Sequence, residues 1–242
     1  MNRRSALGLL FGVIAFAPTL AHAAAPAPDL LAKLAQHAAG FEQMKTHVSY
    51  SLAGTLQTIA ASDAADSTKT MQARVTADGK RTHFSVVKYT EDGADKTDEA
   101  RAKAAEHEKK KALEKPDAKK KRDLKMPFLK SEQSRYVFEQ VETDATDPSR
   151  VRISFSPKES ADDTVEGSAW VDTKSGTVIS TGFKLSRLPS FVDYVHVTVE
   201  FGTPTAFGPA PSVVKVTGRG SFLFLSKRFR GEATFSDYAL VK

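Results

Sequence analysis

The sequence from Gly167 to Leu240 limits the fold most strongly, because it contains several β-strand patterns with only turns between them. Apolar and polar residues alternate from Thr177 to Arg187 and again from Phe191 to Phe201, which is the period of a strand with one buried face. Three further strands are predicted at residues 213–217, 222–229 and 232–240. Consecutive strands joined by short turns pair in antiparallel order. We therefore expect an antiparallel meander with one apolar face.

The preceding part of the chain predicts one helix and more strands. Asp29 is a good N-cap, and apolar residues follow it with helical spacing as far as Phe41, although Gly40 weakens the end of this helix. Strands are predicted at residues 47–59, 71–77, 80–89, 136–141 and 151–155, and Asp78-Gly79 is the strongest hairpin signal. With 242 residues the chain is long enough for one sizeable domain. The predicted class is α+β, mainly β.

Residues 1–23 predict a secretory signal peptide. Asn2-Arg3-Arg4 is a short positive region, residues 6–17 are apolar, and Ala21-His22-Ala23 is a small-residue cleavage site. The apolar run is too short for a convincing membrane span. A twin-arginine signal is the alternative, but the residues around Arg3 and Arg4 match it only loosely. We expect the mature protein to begin near Ala24, to be located in the periplasm, and to form a single domain over residues 24–242.

A segment at about residues 92–125 is rich in Ala, Lys, Glu and Asp, and it has almost no apolar stripe. It predicts an exposed helix or a largely disordered insertion. Eleven Lys or Arg and five acidic residues lie between Arg101 and Lys125, so the rest of the chain is close to neutral and does not suit nucleic acid. Solvated charge is the simplest interpretation. The alternative is transient contact with anionic membranes through Lys109, Lys110, Lys111, Lys119, Lys120, Lys121 and Arg122.

The sequence contains no motif for catalysis or for metal binding. Cysteine is absent, which excludes disulfides, thiolate nucleophiles and thiolate metal ligands. The histidines lack metal-ligand spacing, and neither a GxSxG motif nor a phosphate-binding glycine loop occurs. Tyr194 and His196 share one face of a predicted strand, where a hydrogen-bonded surface pair is a simpler interpretation than a general acid and base. We expect no enzyme activity, no cofactor and no metal.

The apolar face of the sheet has two interpretations. It fills an ordinary core, or it lines a cavity for an apolar ligand where the helices leave space over a curved sheet. Residues 202–211 form a Pro-rich segment, which predicts a rim or lid that carries Phe207. The candidates for the cavity wall are Trp170, Phe183, Leu185, Val195, Val197, Val199, Phe201, Phe207, Phe222 and Phe224.

Several short motifs together resemble the periplasmic lipoprotein-carrier superfamily, which includes LolA, LolB and the related sensor RseB. They are the signal peptide, the N-terminal helix, Leu52-Ala53-Gly54 in the first strand, the Gly-x-x-Trp-Val-Asp-x-x-x-Gly pattern at Gly167–Gly176, and the C-terminal meander. The resemblance spans Pro28 to Leu240 apart from the basic segment. It implies a curved antiparallel sheet that forms an unclosed β-barrel, with N-terminal and lid helices on its concave face. The arginine with which the carriers engage their lid has no assignable counterpart here.

What the resemblance implies about function is a non-enzymatic periplasmic carrier or binding protein for the acyl chains of a lipid or lipoprotein. The alternative is an envelope-stress sensor or protein-interaction module on the same fold, with an envelope protein as its partner. A weaker alternative is an enzyme on the same scaffold. The identity of the ligand is not encoded in any of these motifs.

Overall fold

The computed structural model describes residues 24–60, 62–79, 81–113, 124–222 and 225–241. The predicted signal peptide lies outside these residues. The described elements are α1 (Pro28–His47), β1 (Val48–Ile59), β2 (Ala65–Ala77), β3 (Thr82–Glu91), β4 (Ala94–Asp95), α2 (Thr97–Leu113), a 3-10 turn (Gln133–Arg135), β5 (Tyr136–Thr143), β6 (Arg150–Pro157), β7 (Val165–Asp172), β8 (Thr177–Leu185), β9 (Val192–Thr205), β10 (Gly208–Phe222) and β11 (Leu225–Leu240). None of the helices in these ranges has the length and hydropathy needed to cross a membrane.

All the strands belong to one antiparallel sheet, in the order β4-β3-β2-β1-β11-β10-β9-β8-β7-β6-β5. The two edge strands, β4 and β5, do not pair with each other, so the sheet is not closed into a barrel. Side chains from β3 and β6, which are far apart in this order, nevertheless line the same cavity, so the sheet curves around it. The prediction of a mainly β, unclosed half-barrel is confirmed.

Helix α1 packs on the concave face of the sheet, over strands β5 to β9. Its apolar stripe of Leu30, Leu34 and Ala38 is buried against side chains that include Ile153 and Val171. Leu34, Ala38, Ile153 and Val171 are all fully buried. Full burial of each large aliphatic side chain contributes about 1.5–3 kcal/mol. This layer of helix on sheet is the main hydrophobic core.

Helix α1 continues to His47, although the sequence predicted that it would end near Gly40 and Phe41. Gly40 serves a different purpose, because a Cβ atom at this position would collide with the backbone carbonyl oxygen of Phe207. Phe207 lies in the turn between β9 and β10 and packs against a small second core of Met44, Val48 and Ala210. The glycine therefore allows the β9–β10 hairpin to lie directly on the helix, and this close approach is a tertiary feature.

Two predicted connections in the meander are wrong. The Pro-rich segment at 202–211 forms the ends of β9 and β10, which are joined at a tight turn, rather than a long loop or lid. The run predicted as one strand at 222–229 is divided, since β10 ends at Phe222 and pairs there with Leu225 at the start of β11. Gly218-Arg219-Gly220 lies within β10, where the register with β9 shifts between Arg219 and Gly220.

Two irregularities change which side chains face inward. A register shift opposite Trp170 displaces Ile179, so that Val178 faces the core in its place. In β11, Asp237 has a positive φ of 53° beside a register shift with β1. Because this bulge adds a residue to one strand, Phe235 and Tyr238 both reach the cavity although they are three positions apart.

Helix α2 lies along the edge of the sheet formed by β3. The Arg101 guanidinium donates hydrogen bonds to the Val86 and Val87 carbonyl oxygens at 3.0 Å each. One turn earlier, the Thr97 hydroxyl accepts a hydrogen bond from the Tyr89 backbone N–H at 3.0 Å. These contacts occupy backbone groups that would otherwise be free to pair with another strand. The described part of the basic segment is thus largely an exposed helix. The single domain over residues 24–242 stays a prediction.

Candidate functional site

A cavity of about 480 Å³ lies between the C-terminal half of α1 and the concave face of the sheet. Its wall contains residues from α1, β1, β3, β6 to β11 and the segment Leu124–Phe128. The lining residues are Phe41, Met44, Lys45, Tyr50, Thr82, Leu124, Lys125, Met126, Pro127, Phe128, Phe155, Val165, Val178, Thr181, Phe183, Val199, Phe201, Pro211, Val214, Phe235 and Tyr238. Most of these side chains are apolar, so the interior offers a hydrophobic surface.

The cavity opens to solvent on one side. Among its lining residues, Lys45, Thr82, Leu124 and Lys125 are exposed, whereas the others are buried or half-buried. These four residues come from the end of α1, the start of β3 and the segment before Phe128. The opening therefore lies where these three parts of the chain meet.

The hydroxyl group of Tyr238 does not make the wall polar. It donates a hydrogen bond to the Pro211 carbonyl oxygen at 2.6 Å, and its ring lies 5.5 Å from that of Tyr50. Burial raises the pKa of both tyrosines, so both remain neutral. With its hydroxyl already paired, Tyr238 presents mainly its ring to the space.

His37 lies behind the wall, between α1 and the β9–β10 hairpin. Its ring meets Phe201 edge-on at 5.8 Å, and only 8% of its surface is exposed. Burial lowers the pKa of His37, and its Nε2 atom has no hydrogen-bond partner in the described part of the chain. Neighbouring sequence from Phe201 to Val214 contains no charged residue. His37 is therefore a neutral core residue next to the site.

The segment from Leu124 to Glu132 covers the other side of the cavity and is held in place by polar contacts. Arg135 bridges Glu132 at 2.7 Å and Asp163 at 2.8 Å. Gln133 donates hydrogen bonds to the carbonyl oxygens of Leu31 and Phe128 at 2.9 Å each. The Phe128 ring stacks on Phe138 at 5.4 Å. This segment, rather than α2, forms the cover in the described structure.

Of the residues proposed from the sequence, Phe183, Val199 and Phe201 line the cavity. Leu185 faces the same way as Phe183 but packs against the main core. Val195 and Val197 share the inward parity of Val199 but lie farther along β9, outside the cavity. The structure thus brings the middle of the predicted apolar face to the site and places the ends elsewhere.

The other four candidates lie away from the cavity or have side chains outside the described residues. Trp170 lies on the opposite face of β7, paired with Arg152, whose guanidinium is 5.9 Å from its ring. Since Trp170 alternates with the buried Ala169 and Val171, its assignment to the cavity wall does not match its position. Phe207 is the anchor of the hairpin on α1 rather than a lid. The Phe222 side chain and the whole of Phe224 lie outside the described residues.

Several lining residues were not proposed from the sequence. They come from α1, from β1, from the end of β11 and from the segment before Phe128, as Phe41, Met44, Tyr50, Phe235, Tyr238 and Met126 illustrate. Alternation marks Tyr50 as inward, but only the β1–β11 pairing brings it beside Tyr238. Met126-Pro127-Phe128-Leu129 was a detectable signal, because an apolar cluster directly after a basic tract indicates a return to the core.

The remaining candidates are polar. Lys109 and Lys110 are exposed on α2, the Lys111 side chain is not described, and residues 119–122 lie outside the described ranges. Tyr194 and His196 are exposed on the face of β9 opposite Val195 and Val197. In the described ranges, no group of three or more His, Cys, Asp or Glu side chains is arranged to hold a metal ion.

No family model matches the sequence, and no curated protein matches it. Among solved structures, the chain is similar to a Vibrio parahaemolyticus domain named for outer membrane lipoprotein sorting, with 12% identity, a TM-score of 0.43, and coverage of 87% of this chain and 91% of that one. A LolA superfamily protein of Nitrosomonas europaea has 10% identity, a TM-score of 0.35, and coverage of 88% and 94%. Pseudomonas aeruginosa MucB, solved in complex with MucA, has 14% identity, a TM-score of 0.25, and coverage of 86% and 94%.

The second of these structures belongs to the superfamily that the sequence resembles. All three alignments extend over most of both chains, although the identities and TM-scores are low.

Proposed function

We propose that this protein binds the acyl chain of a lipid or lipoprotein in the cavity and acts as a non-enzymatic carrier or binding protein. The observation that carries the proposal is the apolar space of about 480 Å³ between α1 and the sheet. Sites for small ligands have volumes of about 300–1,000 Å³ and are mostly apolar. An alkyl chain in such a site gains about 25 cal/mol for each Å² of apolar surface removed from water.

The sequence allowed two interpretations of the apolar face, a filled core or a cavity for a ligand. The observed cavity favours the second. In a close-packed core, voids larger than a water molecule are few. This space is far larger than the roughly 30 Å³ that one water occupies in the liquid, and it is continuous with solvent through exposed residues such as Lys45 and Lys125. The half-barrel keeps a space where α1 ends instead of collapsing onto itself.

The proposed location is the periplasm, on the basis of the predicted signal peptide at residues 1–23. A soluble protein with an internal apolar site is suited to hold an acyl chain away from water between two membranes. The proposed unit is a single domain over residues 24–242, with the basic segment as an insertion between β4 and β5.

The test is a matched pair of substitutions on β9. Val199→Trp places a large ring inside the cavity, whereas Val197→Trp changes the same face of the same strand two residues away, outside the lining. Binding of a fluorescent fatty acid to the purified mature protein is measured by titration, and native mass spectrometry records lipids retained during gentle purification. We expect Val199→Trp to weaken binding at least about tenfold and Val197→Trp to weaken it much less.

Circular dichroism of both variants must show the same sheet content as the unchanged protein. A wild-type protein that is purified without lipid and takes up no fatty acid contradicts the proposal. Equal losses of binding in two folded variants contradict the assignment of the site.

A second candidate function is a sensor or interaction module whose output is a contact with an envelope protein. The observation that favours it is the concave face of β1 and β3, where Leu56 and Phe84 are 44% and 37% exposed. A photo-crosslinking amino acid at Leu56 would record a contact there in cells. Crosslinks to one defined envelope protein that persist in the Val199→Trp variant favour this function, whereas crosslinks only to lipid favour the carrier.

A contact of the basic segment with anionic membranes is a separate proposal, supported by the exposure of Lys109 and Lys110 on α2. Replacing Lys109, Lys110 and Lys111 by Gln is expected to weaken sedimentation with anionic vesicles, at about 1 kcal/mol for each charge near the surface. Unchanged sedimentation would exclude a role for α2. Catalysis is not part of the proposal, because Tyr194 and His196 lie on the face of the sheet away from the cavity.

A further inference from the structure

Two lysine side chains lie at the opening of the cavity. Lys45 and Lys125 are two of its four exposed lining residues, and no carboxylate is among the lining residues that the structure describes. We infer that the ligand is an amphiphile with an anionic head group, which lies between Lys45 and Lys125 while its apolar chain enters the cavity. This inference rests on the proposed function and adds the class of ligand to it.

Lys125 has hydrogen-bond donors available for such a head group. Its Nζ atom lies 3.7 Å from the nearer carboxylate oxygen of Glu132, which is too long for a hydrogen bond. Glu132 is already paired with Arg135 at 2.7 Å and accepts a hydrogen bond from the Ser131 hydroxyl at 3.2 Å. Among the described residues, Glu132 is thus bound more closely by Arg135 and Ser131 than by Lys125.

Lys45 stands at the end of α1, on the other part of the opening. Its Nζ atom donates a hydrogen bond to the Glu42 carboxylate at 2.7 Å and lies 5.5 Å from the centre of the Phe41 ring, which itself lines the cavity. Both side chains of the Lys45–Glu42 pair are partly exposed, and exposed pairs of this kind contribute little to stability. Lys45 can therefore exchange Glu42 for an anionic head group at small cost.

The interior fixes the orientation of the ligand. The Tyr238 hydroxyl donates its hydrogen bond to the Pro211 carbonyl oxygen, and the Thr181 hydroxyl donates to the Ser168 carbonyl oxygen at 3.1 Å. An anionic group placed deep in the cavity would lose its hydration without gaining these donors. The charged end therefore stays at the opening, where two ammonium groups and water remain in reach.

The experiment measures displacement of aminoanthracene, a neutral apolar fluorophore, from the mature protein at low ionic strength. The competitors share one chain length and differ in the head group: dodecanoate, dodecyl phosphate, dodecanol and dodecyltrimethylammonium, each below its micelle concentration. We expect the two anions to displace the probe at about threefold to tenfold lower concentration than dodecanol, and the cation to be weakest. Added salt should reduce this preference, and inorganic phosphate alone should displace nothing.

The preference of the site for dodecyl phosphate or for dodecanoate distinguishes a phospholipid-type head group from a fatty acid. Lys45→Gln and Lys125→Gln should each lower the preference for anions, and the double variant should remove it while dodecanol still binds. The matched control is Lys215→Gln, which removes an exposed lysine that also pairs with an acid, Glu200 at 3.2 Å, but that lies outside the cavity lining.

Different outcomes contradict the proposed function and the inference about the head group. If none of the alkyl competitors binds, the proposed function is wrong. If dodecanol and dodecanoate bind equally, or if the double variant keeps the preference for anions in a protein with unchanged circular dichroism, the cavity binds chains but the inference about the head group is overturned.

Discussion

The two halves of the sheet use the same alternating pattern with different results. On β5 to β9 the inward side chains lie under α1, and Ile153 and Val171 are fully buried. On β1 to β3 the same face is covered less evenly, because Ala73 and Val75 are buried whereas Leu56 and Phe84 remain 44% and 37% exposed. Alternation thus identifies the inward face, but the elements packed on that face decide which of its residues are covered. The cavity lies at the boundary, where α1 ends at His47.

The largest expected difference between the halves is in the stability lost when one inward side chain is shortened to alanine. Ile153→Ala removes a side chain that is 0% exposed and should cost about 2–5 kcal/mol in the free energy of unfolding. Leu56→Ala removes one that is already 44% exposed and should cost less than about 1 kcal/mol. Denaturation by urea measures both. Equal costs would mean that the concave face of β1 is covered in solution.

A second prediction concerns the contact between α1 and the β9–β10 hairpin, which joins the covered half to the cavity. Gly40→Ala improves helix propensity by about 1 kcal/mol, but its methyl group meets the Phe207 carbonyl oxygen. Because backbone must move to relieve this collision, we expect a net loss of about 1–3 kcal/mol. Gly202→Ala is the control, since its new Cβ would be 3.5 Å from its nearest neighbour. A stabilised Gly40→Ala protein would contradict the observed packing.

A third prediction uses the buried His37 in the same contact. Its pKa is lowered by burial, so the unfolded protein binds a proton more readily than the folded protein does. Below the ordinary histidine pKa of about 6.5, stability should therefore fall as the pH falls, until the pH reaches the pKa of the folded state. His37→Leu should weaken this dependence in thermal melts recorded across the acidic range. The same slope in the variant would show that other groups cause it.

The smallest effect is expected at the free edge of β3, where α2 lies. Arg101→Gln removes the hydrogen bonds to the Val86 and Val87 carbonyl oxygens and should cost about 0.5–1.5 kcal/mol. Arg101 also shields an edge strand, so the variant should form oligomers more readily at high concentration. Light scattering measures this, with Lys103→Gln on the same helix as the control. No change in either property would mean that α2 does not protect the edge.

The sequence predicted the class, the strands and their inward parity well, because period-two alternation is a local property. It did not predict the extent of β9 to β11, since the prolines at 204, 209 and 211 resemble a loop but lie in paired strands, where Pro211 is at a register shift. It placed Trp170 in the wall because the residue is large and apolar. Its actual face depends on parity within β7, where Ala169 and Val171 are the buried residues.

The site was predicted only in part for a similar reason. Phe183, Val199 and Phe201 were found because they belong to one clear alternating pattern. Tyr50, Phe235 and Tyr238 were missed because their meeting depends on long-range pairing of β1 with β11 and on the bulge at Asp237. Positions that follow from the pattern of one strand could be predicted. Contacts between residues far apart in the sequence could not be predicted, whatever their chemistry.

The pairing of β1 with β11, in which Val48 lies opposite Leu240, also determines when the cavity can exist. These are the first and the last strands of the sheet, so this ladder joins residues that are very far apart in the sequence. Contacts of this kind form late and slowly, because a long loop must close before any pairing energy is gained. A chain emerging in the order of its synthesis can pair β1 with β2 early, but the other edge of β1 stays unpaired until the final strand arrives. Refolding rate should consequently be more sensitive to the β1–β11 ladder than to any hairpin within the meander.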